Sequence, residues 1–66
     1  MLPKYKLQDQ VLVKDNSSIV AMVITGMSQT ADDQPFRYES TTGSSTTYID
    51  EYSIVAVVEN GEWQKV

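Results

Sequence analysis

The chain has no cysteine and no histidine. The first absence excludes a disulfide framework, and the second removes the Cys/His spacings of zinc fingers and ribbons. Without either residue there is no Ser–His or Cys–His pair to activate a nucleophile. Basic residues are few: five against nine acidic ones, for a net charge of -4. Nucleic-acid binding by counterion displacement needs clustered Lys and Arg. Here Lys4, Lys6, Lys14, Arg37 and Lys65 are scattered, and Lys4 with Lys6 reads as a solvated tail rather than a phosphate site. No apolar run approaches the ~20 residues of a membrane-spanning helix. The longest, Ile19-Val20-Ala21-Met22-Val23-Ile24, is of strand length. The opening Met-Leu-Pro-Lys-Tyr-Lys contains no apolar signal-peptide core. A soluble, cytoplasmic protein with no membrane partner is expected.

What remains is enough for one small domain over residues 1–66. A chain this short buries only about 60% of the surface its unfolded form exposes, so its stability margin is narrow. Stability must come from a compact apolar core, from self-association, or from both.

Turn residues divide the sequence into short segments of similar length rich in Val, Ile, Thr and Tyr, the pattern of an all-β sandwich or barrel. The first predicted segment, 5–14, alternates Leu7, Val11 and Val13 with Gln8, Gln10 and Lys14. Asp15-Asn16-Ser17-Ser18 follows as a turn, which accounts for its match to a glycosylation acceptor pattern. The second segment, 18–27, is apolar on both faces, so it is expected to be central or covered, with Gly26 marking a bend. The third, 36–42, places Phe36 and Tyr38 on one face, and the Ser/Thr run around Gly43 forms a hairpin into the fourth, 46–49. Asp50-Glu51-Tyr52-Ser53 suits a single tight helical turn. A fifth strand, 54–59, puts Ile54, Ala56 and Val58 on one face. Asn60-Gly61 then predicts a two-residue hairpin that sets Glu59 opposite Glu62 and Val58 opposite Trp63, with Trp63 on the core side and a sixth strand over 62–65.

Two acidic pairs are the only candidates left for acid–base or metal chemistry. Asp32-Asp33 reads as a solvated loop, and Asp50-Glu51 as the start of the helical turn, where the local dipole favours acids. Oxygen-ligand metal sites need six or more donors and usually spaced acids. No catalytic, cofactor or metal residue is therefore assigned, and the chain is read as not an enzyme. Candidate partner-binding residues fall in two groups. Among the aromatics, Phe36 and Trp63 are expected to fill the core, while Tyr38, Tyr48 and Tyr52 are expected to offer a contact surface by stacking and cation–π contact. Val20, Met22, Ile24, Val55 and Val57 lie opposite the expected core residues. If the second and fifth strands are neighbours, they form one patch of the kind that marks an interface.

Three stretches resemble the small SH3-like barrels of many bacterial and phage proteins. Gln8-Asp9-Gln10-Val11-Leu12-Val13 is similar to the first barrel strand and its polar lead-in. Ile19 to Ile24 is similar to the second, strongly bent strand, and Tyr48-Ile49-Asp50-Glu51-Tyr52-Ser53-Ile54-Val55-Ala56-Val57-Val58 to the final helical turn and closing strand. The family usually has glycine just before the first-strand aspartate, where this chain has Gln8. The resemblance implies a five- to six-stranded SH3-like barrel with a short 3-10 turn before the fifth strand. SH3-like barrels host many unrelated activities, so it implies architecture more than chemistry. Together with the composition it leads to a non-enzymatic protein-interaction module of a kind often phage-encoded, with self-association through the apolar face as an option. Two alternatives are a nucleic-acid-contacting SH3-like domain and an oligomeric enzyme similar to type II dihydrofolate reductases. The pore motif of those reductases, Val-Gln-Ile-Tyr, is replaced here by Thr46-Thr47-Tyr48-Ile49, which lacks the glutamine.

Overall fold

Three two-residue turns set the strand pattern. Each contains a residue with positive φ, which such hairpins require: Asn16 (57°), Gly43 (61°), and Asn60 with Gly61 (54° and 80°). They close the pairs Asp15 with Ser18, Thr42 with Ser45, and Glu59 with Glu62. The computed structural model describes residues 2–66. The strands are β1 (Gln10–Asp15), β2 (Ser18–Val23), β3 (Gly26–Ser28), β4 (Arg37–Thr42), β5 (Ser45–Asp50), β6 (Ile54–Glu59) and β7 (Glu62–Lys65). A 3-10 turn, Glu51–Ser53, precedes β6. The strands form two antiparallel sheets, ordered β2-β1-β6-β7 and β3-β4-β5, and neither is closed. No helix among the described residues is long and apolar enough to cross a membrane.

The expected strand 18–27 is divided into β2 and β3 by a change of sheet. The Ile24 amide donates to the Asp9 carbonyl (2.9 Å), beside β1, whereas the next amide, Thr25, donates to the Glu39 carbonyl of β4 (2.8 Å). Two successive amides thus serve different sheets, and the chain bends between them.

The core lies between the sheets: Tyr5, Val11, Val13, Ile24, Tyr38, Ile49, Ile54 and Val57, with Met22, Met27 and Phe36 packed against it. Fully burying an aliphatic side chain contributes roughly 1.5–3 kcal/mol, so these few residues carry most of the stability. Several faces differ from expectation. On β6, Ile54 and Val57 both point inward, because Leu12 pairs with Ala56 while Val13 pairs with Ile54 and Val55 is left as an extra residue. Such a bulge reverses the alternation of faces beyond it. The Val55 carbonyl accepts instead from the Val66 amide (3.1 Å). Trp63 does face Val58, but on the outer side of its sheet, where it stays 47% exposed. The first strand begins at Gln10 and not at Tyr5. Leu7 is exposed in the turn before it.

That turn is held by Asp9. Its carboxylate accepts from the Lys6 amide (3.0 Å) and pairs with the Lys6 ammonium (3.1 Å), while its amide donates to the Lys6 carbonyl (3.1 Å). Gln8 is thereby fixed at φ 77°, a conformation that costs a side-chain-bearing residue roughly 1–2 kcal/mol.

Candidate functional site

β2 is an edge strand. It pairs with β1 on one side, and among the described residues no strand pairs with the other. This excludes one of the two expected placements, a central strand, and leaves the other, a strand covered by another chain. The hairpin fixes which backbone groups are free. In antiparallel pairing, alternate residues exchange both hydrogen bonds. The residue closing the two-residue turn, Ser18, is in that phase, and so are Val20 and Met22. Ile24 continues it, donating to Asp9 and accepting from the Gln8 amide (2.8 Å). Ile19, Ala21 and Val23 consequently direct their N–H and C=O groups outward.

Those groups face a fork. Thr25 pins its vertex: its hydroxyl donates to the Glu39 carbonyl (3.3 Å) and accepts from the Thr41 amide (3.0 Å). Beyond Thr25, β2 continues in one sheet and the end of β4 in the other, leaving a groove of about 430 Å³. Its lining is apolar at Val20, Met22, Val23 and Trp63 and hydroxylated at Ser40, Thr42, Ser45 and Thr47. No charged side chain among the described residues lines it. The sequence explains this: residues 16–31 and 40–49, which supply nearly all of the lining, contain none of the chain's charged residues.

A second region is built around Tyr38. Its ring is fully buried and packs edge-on against Tyr5, with ring centroids 5.4 Å apart. Its hydroxyl accepts from the Lys4 and Tyr5 amides (3.2 and 3.4 Å) and donates to the Glu51 carboxylate (3.3 Å). Burial raises the Tyr38 pKa most, the two amide donors pull it partly back, and Glu51 raises it further. The Tyr5 pKa is raised by burial and then by Glu51. The arrangement ties the N-terminal segment to the fold. The neighbouring carboxylate of Asp50 turns elsewhere, to Arg37 (3.5 Å) and the Tyr52 hydroxyl (3.4 Å).

The predicted contact residues are therefore dispersed. Tyr38, Ile24 and Val57 belong to the core. Tyr48 is 63% exposed on the outer face of its sheet, opposite Glu39, and Tyr52 is 81% exposed on the 3-10 turn. These two line different depressions. Val55 sits at the bulge beside Tyr52 and Lys65, away from the fork. The five-residue aliphatic patch does not form, because β1 separates β2 from β6. Only Val20 and Met22 reach the fork. Ala21, Val23, Trp63 and the Ser and Thr hydroxyls join them there, and the signal for most of them in the sequence is the pair of uncharged stretches. No family model matches this chain, and comparisons with curated proteins and with solved structures found no match.

Proposed function

We propose that the chain is a non-enzymatic protein-interaction module that accepts an extended segment in the fork by adding it to the edge of β2. The observation carrying this reading is the row of outward backbone groups at Ile19, Ala21 and Val23, the last two of which line a groove without charged side chains among the described residues. Strand addition obtains affinity from the main chain and specificity from alternate side chains. The apolar and hydroxylated lining would select an uncharged segment with apolar residues at alternate positions. Two of the few cations are already engaged, Lys6 with Asp9 and Arg37 with Asp50, which favours a protein over a nucleic-acid ligand.

An SH3-like architecture is part of the same reading. Its supports are the order of a first strand, a bent second strand split between two sheets, a hairpin, a 3-10 turn and a closing strand. A further support is the positive φ of Gln8, at the position where such barrels usually have glycine.

The test is a nuclear magnetic resonance titration with a capped peptide alternating Val and Thr, alongside a version in which lysine replaces the central valine. Shifts at the Ile19, Ala21 and Val23 amides and the Trp63 indole, weaker with the lysine peptide, are expected. An absence of shifts in a sample dilute enough to be monomeric, or shifts confined to Tyr48 and Tyr52, would overturn the proposal.

A further inference from the structure

We propose that a second copy of this chain fills the fork, with the two β2 strands pairing antiparallel about a two-fold axis at Ala21; the inference rests on the strand-addition reading above.

Backbone phase restricts the register. A two-fold axis perpendicular to the sheet keeps equivalent faces on the same side, so the outward residues must pair with one another. Centring on Ala21 sets Ile19 against Val23 and Val20 against Met22, and overlaps the whole apolar part of the strand. Ala21 has the smallest side chain of the row, and it occupies the position where identical residues meet across the axis.

Charge directs a second copy to this edge. Each chain carries a net charge of -4, which opposes association over most of its surface. The interval 16–31 is free of charge, so pairing at β2 keeps both sets of acids outside the contact. The segment complementary to the neutral fork is thus present in the chain itself.

The other sheet edges are protected in ways that β2 is not. Charged side chains, short length and bulges normally keep edges from pairing. β7 carries Glu62 and Lys65, β3 has three residues, and β5 ends in Asp50, which pairs with Arg37. β2 has neither charge nor proline, and leaves Ile19 60% exposed. Pairing about a two-fold axis uses this edge once and closes, so it yields a dimer and not a fibre. The two four-stranded sheets would then run on as one sheet through both copies.

The chain has no cysteine, so a single introduced thiol reports the register. Residues facing each other in a hydrogen-bonded antiparallel pair have Cα atoms about 5.5 Å apart, within the range a disulfide spans. Under air oxidation Ala21→Cys should convert to a covalent dimer, whereas Ser44→Cys, at the exposed hairpin tip, should not. The unmodified chain should sediment as a dimer, and Ile19→Lys should weaken that dimer roughly tenfold or more, about 1.4 kcal/mol per tenfold step. A chain that stays monomeric at millimolar concentration, with Ala21→Cys cross-linking no faster than Ser44→Cys, overturns the second-copy proposal. In that event the peptide titration separates the two claims. Binding at β2 makes a foreign strand the occupant and leaves the module reading standing, and absence of binding removes both.

Discussion

Around Tyr38, every group that comes out of water meets a partner: the hydroxyl takes two amides and a carboxylate, and the ring meets Tyr5. Around β2 the reverse holds, with Ile19, Val20, Val23 and Trp63 in water and one side of the strand lacking a neighbour. Both regions belong to the same small domain. The difference is that the N-terminal segment, through Lys4 and Tyr5, closes the first, and no segment among the described residues closes the second. A chain with so narrow a stability margin concentrates its folding energy in one region and leaves a neutral edge in the other.

Truncation should separate the two regions most clearly. Tyr38→Ala is expected to cost ~3–5 kcal/mol, as large-to-small changes of buried aromatics do, whereas Val20→Ala beside the fork should cost under ~1 kcal/mol. Urea unfolding of the two variants measures both, and equal losses would break the comparison. Tyr38→Phe is a finer probe. It keeps the ring but leaves the Lys4 and Tyr5 amides without an acceptor, at a cost of ~1–3 kcal/mol. Faster hydrogen exchange at those amides, with β2 unchanged, is the expected signature.

Alkaline pH probes the same region. Tyr5 and Tyr38 are both held above the usual phenol value, chiefly by burial. The folded state therefore retains protons that the unfolded chain gives up near pH 10. Their contribution to stability is complete below that point and is lost as pH rises through the folded values. Denaturation midpoints should fall above about pH 10, and fall less steeply in Tyr38→Phe. A small gain is expected in the turn before β1, where Gln8→Gly should relieve a positive φ worth ~1–2 kcal/mol, less the ~0.5–1 kcal/mol of glycine's extra chain entropy.

How much of this was legible in the sequence depended on the range of the interaction involved. The hairpins at Gly43 and at Asn60-Gly61 were readable, since a two-residue turn is decided by the residues that must adopt positive φ. The pairing of Val58 with Trp63 followed from the turn, but its side of the sheet did not. The inward face of β6 was misplaced because the bulge at Val55 arises from pairing with β1, which local alternation does not encode. Tyr38 was assigned to the surface, and its burial depends on amides more than thirty residues away. The apolar run of β2 left open a central strand or one covered by another chain, because composition reports that a strand has two apolar faces and not which neighbour covers them. Of the candidate site, Val20 and Met22 were legible, and the fork itself, a product of the change of sheet between Ile24 and Thr25, was not.

The central claim, that the outer edge of β2 is a contact surface, is tested most directly by amide hydrogen exchange along that strand as protein concentration rises. In dilute solution Ile19, Ala21 and Val23 should exchange fast while Val20 and Met22, bonded to β1, exchange slowly. Raising the concentration should slow the first three and leave the other two unchanged. Protection of Ala21 already complete in the dilute monomer would show that the edge is covered from within and would contradict the account.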